Sequence, residues 1–157
     1  MTELVTTSIP DAPNQVWCFR VEGTPRAWRR PRFNRRTGAV FNASQDTAWR
    51  ESIWGQTYAN RPLMPLTGPI ELRLTFVFAF PKSWPKSKRV KAASGGWGVT
   101  RRPDLDNLFK AVCDALQGTY FEDDAQIVRV CASKVWGERA GMIGEVEALE
   151  SMERKAV

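Results

Sequence analysis

Ile70-Glu71-Leu72-Arg73-Leu74-Thr75-Phe76-Val77-Phe78-Ala79-Phe80 alternates an apolar side with a mixed one that carries Glu71, Arg73 and Thr75. A period of two sustained over this length specifies a β-strand with one buried face. The run is interrupted by Arg73 and is far too short to span a bilayer. Downstream, Leu105, Leu108, Phe109, Val112 and Leu116 recur at helical spacing and Gly118 supplies a stop, which predicts a helix from about Leu105 to Gln117. Ile127–Trp136 and Met142–Leu149 then read as a closing strand pair. Upstream, Val16–Val21 is a first strand ended by Gly23 and Pro25. Ser44 can cap a helix running to about Asn60, with Trp49 and Trp54 assigned to the core. The expectation is one α+β domain over residues 1–157, with a small mixed sheet, two main helices and β-α-β-α-β-β order. Residues 1–14 and 150–157 are expected to be flexible ends.

The 157 residues are 43% hydrophobic and 25% charged, which excludes a disordered chain, a collagen-like repeat and a coiled coil. No hydrophobic signal core stands near Met1, so a cytoplasmic protein without membrane attachment is expected. Cys18, Cys113 and Cys131 form no CxxC pair and read as reduced, buried thiols. The chain has no histidine at all, which removes Ser-His-Asp and Cys-His sites and any ordinary zinc site built on imidazole. Metal chemistry here must use oxygen ligands.

Charge is distributed unevenly. Residues 1–102 hold 17 basic and 6 acidic groups, whereas residues 103–157 hold 6 basic and 11 acidic. A basic body with an acidic segment suits a protein that grips a polyanion and presents carboxylates to it; the bland alternative is a solvated surface with an acidic tail. Pro25–Gly38 is read as a loop or irregular hairpin carrying Arg26, Arg29, Arg30, Arg32, Arg35 and Arg36, with Trp28 and Phe33 as stacking surfaces. These arginines read as phosphate contacts, against an exposed loop that merely solubilises. Residues 81–102 contain Lys82, Lys86, Lys88, Arg89, Lys91, Arg101 and Arg102 and no acid. They are expected to form a long basic loop that contacts nucleic acid and orders on binding, the alternative being a plain linker.

Pro103-Asp104-Leu105-Asp106-Asn107-Leu108-Phe109-Lys110 opens the second helix. If Pro103 holds Asp104 extended, its carboxylate can converge with that of Asp106 where the helix dipole favours negative charge. Both acids could equally be ordinary helix caps. Lys110 lies on the same helical side as Asp106, placed to stabilise a phosphorane-like transition state, or else to form an i,i+4 pair with little energetic value. Glu122-Asp123-Asp124 follows, by itself an unremarkable turn. Together the two acidic clusters offer three oxygen ligands of the kind Mg²⁺ takes beside a substrate phosphate.

The stretch Arg101–Val128, with its D-L-D-N-L-x-K, D-A-L and D-D-A-Q, resembles the signature of the RusA-type Holliday-junction resolvases. Outside it the similarity is one of layout. The resemblance implies metal held by Asp104, Asp106 and Asp124, with Lys110 as the essential lysine and Asp123 a neighbouring acid. It further implies a homodimer that makes paired symmetric nicks in four-way DNA junctions with Mg²⁺, Mn²⁺ substituting. The longer Lys82–Arg102 segment and the Arg/Trp-rich N-terminal loop depart from that pattern and bear on junction preference. The expected activity is that of a Mg²⁺-dependent endodeoxyribonuclease acting on branched DNA. The expected DNA contacts are Arg26, Arg29, Arg30, Arg32, Arg35, Arg36, Lys86, Lys88, Arg89, Lys91, Arg101 and Arg102. The rival readings are a non-catalytic DNA-binding recombination accessory and a nuclease acting on flaps, forks or RNA.

Overall fold

The computed structural model describes residues 14–27, 32–33, 35–41 and 44–150. The strands β1 (Val16–Glu22), β4 (Ile70–Ala79), β5 (Ile127–Gly137) and β6 (Gly141–Ala148) form one sheet in the order β1-β6-β4-β5. A separate two-residue ladder joins β2 (Arg32–Phe33) to β3 (Val40–Phe41), the irregular hairpin that the Pro25–Gly38 composition suggests. Helices α1 (Ser44–Thr57), α2 (Lys86–Lys91) and α3 (Leu105–Leu116) complete a small α+β domain with a mixed sheet.

β4 lies at the centre, antiparallel to β6 and parallel to β5. A parallel pair cannot be joined by a tight turn, and its crossover here carries α2 and α3. Ile70, Leu72, Leu74, Phe76 and Phe78 of β4 face a core shared with Leu108, Val112 and Leu116 of α3 and Trp49 and Ile53 of α1. Each fully buried side chain of this size contributes roughly 1.5–3 kcal/mol. Gly144 in β6 leaves room for the Phe19 ring, which a Cβ there would strike. That ring meets Tyr120 edge-on at 5.4 Å, and the buried Tyr120 hydroxyl donates to the Thr57 carbonyl at 2.8 Å. α3 ends where the notional stop was placed: Gly118 adopts φ 82, which a side chain would strain, and donates to the Phe121 carbonyl at 2.7 Å.

The other face of β4 is polar. Arg73 binds Glu145 at 2.8 Å and Glu147 at 2.7 Å across the ladder, with Glu71 at 3.2 Å, and Arg129 closes on Glu71 at 3.0 Å. Cross-strand register sets these pairs, since Glu71 faces Arg129 on β5 and Arg73 faces Glu145 on β6.

Several expectations need correction. Ile127–Trp136 and Met142–Leu149 are strands but do not pair with each other, because β4, the most apolar of the four, takes the place between them. Residues 81–102 are not a bare loop: α2 and a helical turn over Ala92–Gly96 occupy the middle of the segment, so the main helices are joined by a third. Trp84 anchors this insertion, 4.8 Å from the Trp136 ring and 5.8 Å from Trp97, while Ala92 and Val99 are buried. Trp49 is in the core but Trp54 is exposed and packs on Tyr58. Five residues on a helix separate two side chains by about 140°, so the two could not share one face. Of the three thiols only Cys113 is buried; Cys18 and Cys131 stand exposed. The N-terminal and C-terminal residues expected to be flexible lie, but for residues 14 and 150, outside the described residues.

Candidate functional site

α3 begins with Asp104 at its N-cap, directly after Pro103 and in an extended conformation (φ −71, ψ 146). An aspartate in this position ordinarily turns its carboxylate onto the first helical amides. Here it makes no such bond; among the described residues only the Asp104 backbone carbonyl is engaged, by the Leu108 amide at 3.1 Å. Asp106 stands in the first turn and, among the described residues, accepts only a long 3.4 Å bond from the Asn107 amide group. Both side chains are exposed. The helix N-terminus thus carries two carboxylates that the fold does not consume, where the dipole favours negative charge.

The segment leading into them is tied down from the sheet. Lys134 on β5, opposite the fully buried Phe76 of β4, sends its ammonium to the Arg101 carbonyl at 2.9 Å and the Pro103 carbonyl at 3.0 Å. Lys110 lies one turn beyond Asp106, with its Nζ 3.5 Å from Asp114 Oδ1.

The second acidic cluster divides its labour. Asp123 caps the short turn Asp124–Gln126, its carboxylate accepting from the Ala125 amide at 2.8 Å. Gln126 answers by accepting from the Asp123 and Glu122 amides, each at 2.8 Å, and donates to the Leu66 and Gly68 carbonyls. Asp123 is therefore structural, and the exposed Asp124 is left free of capping duty. Asp124 makes itself felt at Cys113: burial, then the Asp124 and Asp114 carboxylates, push that thiol up to about 12, with Lys110 opposing. Cys113 is about two turns, some 10 Å, along α3 from Asp106.

Hard carboxylate oxygens suit a divalent cation such as Mg²⁺, which is commonly held by one or two carboxylates with water and substrate phosphate. Asp104 and Asp106 fit that description. Among the described residues, however, no three Cys, Asp or Glu side chains group closely enough to hold a metal ion, so the three acids named from the sequence are not brought together in the single chain. The physical reason is the crossover: Asp104 precedes α3 and Asp124 follows it.

The basic residues divide into two groups. Lys86, Lys91, Arg101 and Arg102 are exposed along the insertion, and Arg35 and Arg36 are exposed in the hairpin turn. Arg101 lays its guanidinium 4.9 Å over Trp136 and Lys88 its ammonium 4.3 Å over Trp84, leaving both near the surface. Arg89 is turned inward instead, donating to the Trp84 carbonyl at 3.0 Å and the Lys82 carbonyl at 3.3 Å, so it holds the insertion together. Arg26 is half-buried; Arg32 is described only as part of β2, and Arg29 and Arg30, with Trp28, lie outside the described residues. Lys134 and Asp114 were missed by sequence reasoning. Nothing local marks Lys134, whose contacts depend on the pairing of β5 with β4.

The family model described as Endodeoxyribonuclease RusA matches residues 22–147, which take in β4, β5, nearly all of β6, α3 and both acidic clusters but leave out β1 except for Glu22. A curated relative, the uncharacterized protein YqaN of Bacillus subtilis (strain 168), is 34% identical over 137 residues, covering 83% of this chain and 96% of its own. No described helix is long and apolar enough to cross a membrane. With an acid pair left unspent at the head of α3 and a match running across nearly the whole described fold, the chain belongs to the RusA family of endodeoxyribonucleases.

Proposed function

We propose that the protein is a Mg²⁺-dependent cytoplasmic endonuclease, active as a homodimer, that resolves four-way DNA junctions by paired symmetric nicks. The observation that carries this reading is the free state of Asp104: a residue in the N-cap position whose carboxylate caps nothing. A cap-only role, which a non-catalytic DNA-binding protein would give it, leaves that unexplained.

Asp104 and Asp106 would hold the cation; Asp124, which the single chain does not bring beside them, would join only in the dimer. What one chain's acids leave open is completed by DNA phosphate or by the second copy. When bound, the ion supplies Lewis-acid polarisation of the scissile phosphate and a water acidified for attack. Lys110, beside the acids on α3, offers positive charge to the oxygen on which negative charge develops. The exposed cations of the insertion and of the hairpin turn bind backbone phosphates, which positions the duplex arms without reading their sequence. A twofold dimer presents two such sites to a substrate of like symmetry.

The test is a Mg²⁺ titration on a synthetic four-way junction labelled on each strand in turn. Symmetric incision of opposite strands is expected. No product at any metal concentration overturns the reading in favour of a binding protein, and preferential cutting of flaps, forks or RNA moves it to another substrate.

A further inference from the structure

We propose that Lys134 is a positioning residue for the metal-binding acids, acting by keeping the Asp104 carboxylate from capping its own helix. This rests on the nuclease reading above. Lys134 spends its ammonium on two main-chain carbonyls, those of Arg101 and Pro103, at 2.9 and 3.0 Å. It forms no ion pair with a described carboxylate, so the charge is not there to neutralise an acid. The two carbonyls bracket Arg102, and gripping both fixes the three-residue segment that delivers the chain to Asp104. The grip starts from a rigid place, since Lys134 faces the fully buried Phe76 across the parallel ladder.

The consequence appears one residue later. Asparagine, aspartate and serine are the preferred N-caps because their short side chains reach the amides of the second or third helical residue. Here those amides belong to Asp106 and Asn107. Asp104 sits in the right place with extended backbone angles, yet its carboxylate makes no cap bond. Holding the Pro103 carbonyl fixes the direction from which the chain enters the helix, and with it the direction of the Asp104 side chain. Without the strap the carboxylate relaxes onto the helix end and is withdrawn from the cation. Supports of this sort around a metal ligand commonly contribute 10–100-fold in metal affinity.

The experiment titrates Mn²⁺ into the metal-free protein bound to a four-way junction, with DNA alone as blank, for the wild type, Lys134→Met and Lys134→Arg. Thermal unfolding and metal-free junction binding are measured in parallel. Lys134→Met is expected to bind Mn²⁺ about tenfold more weakly or worse. Lys134→Arg, which keeps donors that reach both carbonyls, should recover most of the loss. Melting temperature and metal-free DNA affinity should stay near wild type. Unchanged Mn²⁺ affinity in folded Lys134→Met overturns the inference while leaving the nuclease reading intact. Absence of Mn²⁺ binding by the wild type overturns the metal reading itself, and the inference with it. If Lys134→Met does not fold, Lys134→Gln is judged by the same measurements, and a loss of affinity that merely follows its loss of melting temperature counts against the proposal.

Discussion

The Lys110 ammonium lies 3.5 Å from the Asp114 carboxylate, one turn further along α3 on the same side as Asp106. Both side chains are partly exposed, so the pair contributes only about 0.3–0.5 kcal/mol to the fold. Lys110→Met should therefore leave the melting temperature within a degree or two of wild type. Junction nicking should fall by two orders of magnitude or more, the scale on which removal of one electrostatic stabiliser acts. Single-turnover cleavage beside a thermal melt checks both. A variant that cuts normally would remove Lys110 from the mechanism.

Asp106→Asn is expected to abolish nicking while metal-free junction affinity is kept or increased, because carboxylate–phosphate repulsion is relieved. The exposed position predicts little change in stability. Gel-shift and cleavage assays on one labelled junction separate the two effects. Weakened binding with unchanged turnover of the bound complex would contradict a role in the chemistry.

Lys86 and Lys91 belong to the same short helix and are both exposed. If α2 lies against the DNA backbone, Lys86→Ala with Lys91→Ala should reduce the slope of log affinity against log salt by about 2, one for each lost phosphate contact. Arg89→Ala should instead lower the melting temperature, since its guanidinium is committed to the Trp84 and Lys82 carbonyls. An unaltered salt slope in the double variant would place the insertion away from the substrate.

Glu71 couples the sheet's polar face to acid stability. Its bond to Arg129 holds the carboxyl below the ordinary 4.5, against the opposing pull of burial and with help from Arg73. The folded state thus takes up this proton less readily than the unfolded chain. Its stabilisation is complete above about pH 4.5 and is lost as pH falls through the lower folded value. Melting curves from pH 7 to pH 3 should show a steeper acid loss for the wild type than for Glu71→Gln. Parallel curves would mean that the Glu71 pairing does not contribute.

Much of this molecule is legible without coordinates. The alternation of Ile70–Phe80 and the helical stripe Leu105–Leu116 are local properties of the chain, and both elements form where the periodicity places them. Sequence proximity likewise puts Asp104, Asp106 and Lys110 around one helix end. Trp54 was open to the same reasoning, since its angle from Trp49 around the helix already excludes a common face. α2 was hidden because lysines, arginine and serine carry no apolar stripe of their own. That helix is held by Trp84 against Trp136, more than fifty residues away.

What the sequence determined by itself is the set of elements and the chemical character of the acid cluster, because backbone periodicity and side-chain type act over a few residues. The tertiary structure alone decided that β4 parts β5 from β6 and that Lys134 reaches the Arg101 and Pro103 carbonyls. Those outcomes turn on which strand edges share hydrogen bonds and on the length of the helix crossing between them. Neither can be settled by residues that are neighbours only along the chain.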